Sequence, residues 1–98
     1  MLSVKQIEFG DLRGAMYDFE HAGDILPKHV HTDENVHITI VCRGELLAYS
    51  HDWEQKAIAG QVLDFRPGEP HELKALVNNT RIINIVKKMN GHVGQIDL

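Results

Sequence analysis

Short apolar–polar runs, broken by glycine, proline and asparagine every eight to twelve positions, make up this chain. Leu2–Phe9 reads as a strand of mixed pattern suited to a sheet edge, and the residues from Gly10 to Gly14 as a turn. Ala15–Glu20 alternates, with Ala15, Tyr17 and Phe19 on one face and Met16, Asp18 and Glu20 on the other. Pro27, in the run before His29, fits an edge or a strand start better than a central strand. Val36–Cys42 places His37, Thr39 and Val41 on one face and the greasier set Val36, Ile38, Ile40 and Cys42 on the other, so both faces need cover. Further strands are predicted at Leu46–Ser50, Trp53–Ala59, Gln61–Phe65, from His71 through Leu73, Ala75 and Val77, and at Arg81–Lys87. Nothing sustains a helical period. The pattern predicts an all-β domain of antiparallel strands, a sandwich or barrel, spanning residues 1–98.

Composition narrows the function. The net charge is −4 with neutral histidines, which argues against a nucleic-acid partner. No stretch approaches the roughly 20 apolar residues of a membrane helix, so no membrane partner is expected. The single cysteine, Cys42, cannot close an internal disulfide. With no signal-like run at the start, a cytoplasmic location is expected. Cys42 has the opposite parity to His37 and reads as a small packing residue.

The candidate chemistry lies in the histidines. His29, His31 and His37 fall within nine residues. In an extended strand His29 and His31 share a face, and a strand beginning at Val36 can return His37 toward them. His71 follows the rigid loop Arg66-Pro67-Gly68-Glu69-Pro70. Imidazole is a common ligand for borderline transition metals, and several imidazoles facing one small core cost free energy unless each finds a partner. A lone histidine is more often a hydrogen-bonded surface or core residue, and His21, His51 and His92 are read that way. Tyr17, Phe19, Leu63 and Phe65 read equally well as cavity lining or plain core. Trp53 is a guessed dimer contact, and Arg66 a solvated loop residue.

These residues resemble the cupin superfamily, the small metal-binding jelly-roll barrels. In the first family motif, five residues separate a glycine from His-x-His, and six residues separate a glutamate from a second glycine. Gly23, His29, His31 and Gly44 match it, with His37 at the glutamate position and one extra residue in the gap after His31. In the second motif Gly60, Gly68 and His71 match in register, while Arg66 and Ala75 replace the family's proline and asparagine. The resemblance implies an antiparallel jelly-roll barrel, a double-stranded β-helix. It also implies a divalent transition metal (iron, manganese, zinc or nickel) held by His29, His31, His37 and His71, and a homodimer. Three ligand sets remain open: four histidines, three histidines with water, or a set completed by Glu34.

Three functional readings follow. The first is a metalloenzyme acting on a small polar or anionic molecule, as a dioxygenase or a Lewis-acid isomerase or hydrolase. The second is a non-catalytic module that captures a small ligand or a metal, as a sensor would. The third is a structural barrel stapled by its metal. Fold alone does not choose among them.

Overall fold

Period-two burial runs through the strands and decides which side chains meet. A computed structural model describes residues 2–10, 12–29, 36–65 and 70–87. Among these are nine strands: β1 (Leu2–Phe9), β2 (Leu12–Phe19), β3 (Ile25–His29), β4 (Val36–Arg43), β5 (Glu45–Tyr49), β6 (Glu54–Ile58), β7 (Val62–Phe65), β8 (His71–Ala75) and β9 (Thr80–Lys87). They form two antiparallel sheets, ordered β1-β2-β9-β4-β7 and β3-β8-β5-β6. From β2 onward the chain passes repeatedly between the sheets, with only β5 and β6 forming a consecutive hairpin within one of them. One apolar core joins the inner faces. Ala15, Tyr17, Phe19, Val41, Phe65 and Ile82 come from the first sheet; Leu46, Ala48, Ala57, Leu73 and Ala75 come from the second. Among the described residues no helix is long and apolar enough to cross a membrane.

The predicted faces hold. Ala15, Tyr17 and Phe19 are buried, as are Thr39 and Val41, and His71, Leu73 and Ala75. β3 is an edge strand, and its register shifts between Leu26 and His29, around Pro27. Proline donates no ladder hydrogen bond, which suits both an edge and a bulge.

Three local expectations differ. The first turn is tighter than expected: Phe9 pairs with Leu12, so Gly14 lies within β2, and Gly10, at φ 60°, serves the hairpin. β8 ends at Ala75, and Val77 belongs to the turn, where its carbonyl accepts from Thr80 Oγ1 at 2.9 Å. Trp53 is partly buried against the core, its ring 6.5 Å from that of Phe65. Cys42 faces away from the core as expected, but it is exposed, with its thiol 3.8 Å from the Ile40 carbonyl.

Gly44 makes the crossing from β4 to β5 possible. Its φ is +85°, and a Cβ there would collide with the Thr80 hydroxyl and lie 2.9 Å from the Thr80 Cα. Thr80 cannot yield cheaply, because its hydroxyl also bridges the Glu45 and Val77 carbonyls. Gly44→Ala is expected to destabilise the fold by about 1–3 kcal/mol, measured by urea denaturation. Gly23→Ala, also at positive φ but with open space around it, should cost less.

Candidate functional site

Strand pairing brings three of the candidate positions, 29, 37 and 71, to one end of the barrel. β3 ends at His29 and β8 begins at His71, and these two positions are register partners. On the other sheet His37 of β4 is the register partner of Phe65 of β7. The Phe65 ring stacks on the His71 ring, with centroids 4.0 Å apart and planes 8° from parallel. Two register pairs and one ring stack therefore join positions 29, 71, 65 and 37. His71 is fully buried, at 0% exposure, on the inner face with Leu73 and Ala75. Positions 29 and 37 are placed by backbone register, and their side chains, with all of His31, Glu34, Arg66 and His92, lie outside the described residues. Among the described side chains, no three of histidine, cysteine, aspartate or glutamate cluster as a metal site.

A second polar feature lies one register step further in. Thr39 pairs with Asn84 across β4 and β9, just as His37 pairs with Val86. Both Thr39 and Asn84 are 0% exposed, and Thr39 Oγ1 donates to Asn84 Oδ1 at 2.6 Å. Asn84 Nδ2 is buried and has no hydrogen-bond partner among the described residues. The sequence carried a signal for this pair: Asn84 alone interrupts the run Ile82-Ile83-Asn84-Ile85-Val86, at the same parity as Ile82.

Outside the barrel at the same end, Tyr49 donates to Glu72 Oε2 at 2.7 Å. These two, with Ser50, His51 and His71, line a cleft of about 250 Å³. The hydrogen bond to Glu72 pushes the Tyr49 phenol above its ordinary value, since ionising it would cost that bond and set two anions together. Burial raises the Tyr17 phenol in the same direction. His21 and His51 are exposed, as the sequence suggests.

No family model matches the sequence, and no curated protein is significantly similar to it. Solved structures do match. An RmlC-like cupin protein from Desulfovibrio desulfuricans is 23% identical, with a TM-score of 0.74 over 89% of this chain and 80% of that one. KdgF from a Halomonas species is 17% identical, with a TM-score of 0.77 over 91% of this chain and 82% of that one. The cupin-2 domain of an XRE family transcriptional regulator from Enterobacter cloacae is 12% identical, with a TM-score of 0.76 over 91% and 98%. The fold is thus that of the cupins, an all-β antiparallel barrel, in agreement with the sequence motifs.

The tyrosines give a pH test. The chain has two, and both ionise above the ordinary value of 10.0 in the fold. In the unfolded chain both ionise near 10, so their contribution to stability is constant below that pH and is lost as pH rises through the folded values. Ultraviolet titration should show both phenols ionising above 10 in the native protein and near 10 in denaturant. Tyr49→Phe should lessen the alkaline loss of stability.

Proposed function

We propose that this cupin barrel binds a divalent transition metal (iron, manganese, zinc or nickel) through His29, His31, His37 and His71. In this reading the chain is a metalloenzyme acting on a small polar or anionic molecule, of the dioxygenase or Lewis-acid isomerase or hydrolase type. The supporting observation is the register at one barrel end, which pairs His29 with His71 and sets His37 opposite the Phe65 that stacks on His71. The donor set fits the ion. Neutral imidazoles suit borderline metals, and a wholly buried His71 ring sits where such a ligand would be shielded from water.

A divalent ion bound there supplies Lewis-acid polarisation and open positions for water, dioxygen or substrate oxygen. The chain's own residues do the rest. Phe65 fixes the plane of the His71 ring and covers one of its faces. Tyr49, held by Glu72, keeps its proton at the barrel rim up to alkaline pH. Four neutral ligands would leave the ion's charge uncompensated and so favour an anionic ligand. A cytoplasmic setting belongs to the same reading, since Cys42 is a free, exposed thiol.

A second reading is a non-catalytic ligand-binding or sensor module. It draws on the appearance of the same fold within a transcriptional regulator. Elemental analysis of protein purified without a nickel column separates the outcomes. One metal per chain is expected, lost in His71→Ala and His31→Ala. Retention in His37→Ala would leave a three-histidine set. Metal-free protein that cannot be loaded would overturn the metal reading. Turnover on a panel of small acids then separates enzyme from sensor.

The homodimer belongs to this proposal as well. Register pairs Ile38 with Ile85 and Ile40 with Ile83 on the outer face of β4 and β9, where all four are only half-buried. Covering that stripe with a second copy removes apolar surface from water. Sedimentation at micromolar concentration should give a dimer, and Ile83→Glu a folded monomer. A monomeric wild type would contradict it.

A further inference from the structure

Asn84 occupies a core position where leucine would serve packing better. Its neighbours in the run are isoleucine and valine, and it is wholly buried on the inner face of β9. A buried amide costs free energy unless its polar atoms find partners. Half of this amide has one, because Oδ1 accepts from Thr39 Oγ1 at 2.6 Å. That bond also orients the group. Thr39 Oγ1 has no second partner among the described residues, so its proton goes to the amide oxygen, and Nδ2 is turned the other way. What remains is a donor with two N–H bonds and no acceptor among the described residues. It lies one register step from the His37 position, since Thr39 stands two residues along β4 from His37. Two residues of strand rise roughly 7 Å, a distance a small oxo-acid or dicarboxylate can bridge.

We propose that Asn84 Nδ2 is the ligand-binding donor of the barrel interior. Thr39 holds it in place, and it selects a molecule that presents an oxygen acceptor, a carboxylate or a carbonyl. This rests on the reading that the barrel end bearing the histidines binds a small molecule, and it names that molecule's class. An N–H pair cannot hold an ammonium group, so amines are excluded from this position. Asn84 touches ligand through binding, and no proton moves through it. The unpartnered donor is then a stability sacrifice made for recognition, a pattern expected where local rules are broken at a functional position.

The test is isothermal titration of the protein as purified, with malonate and 2-oxobutyrate as probes and n-butylamine as the acceptor-free control. Wild type is compared with Asn84→Asp, which keeps an oxygen for Thr39 and removes the donor. It is also compared with the double variant Thr39→Val/Asn84→Leu, which removes both partners. At least one acid should bind wild type and the amine should not. Both variants should weaken acid binding by roughly tenfold or more, and the double variant should resist urea at least as well as wild type. A purely structural pair would instead lose stability in the double variant and leave binding unchanged. Equal binding in all three proteins overturns the proposal, as does failure of both acids to bind wild type. It also fails if a crystal structure with the acid bound shows only an ordered water on Nδ2. Metal content, measured in each preparation, keeps the two readings apart. Metal-free wild type whose acid binding still depends on Asn84 would support this donor while sinking the metal site.

Discussion

A strand that slips by one residue turns its whole inner face to water, so the alternation of buried positions along β4 and β9 sets their register, and the Thr39–Asn84 hydrogen bond lies within it. The bond is buried, short at 2.6 Å, and joins two central strands of the larger sheet. Moving β4 by one position would bury Ile38 and Ile40 in place of Thr39 and Val41, and would strand the Asn84 oxygen as well as its nitrogen. The register so held runs outward to His37 and Val86, and through β7 to Phe65. The second sheet is tied in by the Phe65–His71 stack, and His71 is paired with His29. The placing of positions 29, 37, 65 and 71 is therefore a consequence of pairing and packing of the sheets.

The sequence made the fold legible because the barrel buries one face of each strand. Ala15, Tyr17 and Phe19, and later His71, Leu73 and Ala75, alternate as a half-buried strand must, and all six are buried. Less legible were the places where turn chemistry competes with alternation. Gly14 looked like the end of a turn, but it is a strand residue with Ile7 and Ile85 as its register partners. Val77 continued the parity of β8, yet its carbonyl is used by the turn that Thr80 closes. Cys42 shows a different limit, because parity states a direction and not what waits there.

The candidate site was legible in outline for a different reason. Histidines separated by one residue, a glycine at a fixed distance and a later histidine after a proline-rich loop are the spacings that carry the cupin resemblance. The fold is shared with cupin structures at identities of 23%, 17% and 12%. Invisible in that outline was Phe65 as the ring that stacks on His71, since strand pairing and sheet packing bring it there from another segment. The Thr39–Asn84 pair was equally hidden, its members being 45 residues apart in the chain. A lone asparagine in an isoleucine run hints at a cost, and only the register shows what shares it.

The proposed function depends first on a metal centre at the histidine end of the barrel. Anomalous X-ray diffraction, on crystals of protein never exposed to added metal, tests it most directly. The expected result is one strong anomalous peak in the barrel interior, about 2.0–2.1 Å from an imidazole nitrogen of His71, with His29, His31 and His37 as further ligands. Full-occupancy protein density without such a peak, and with the His71 ring hydrogen-bonded only to protein or water, would contradict it.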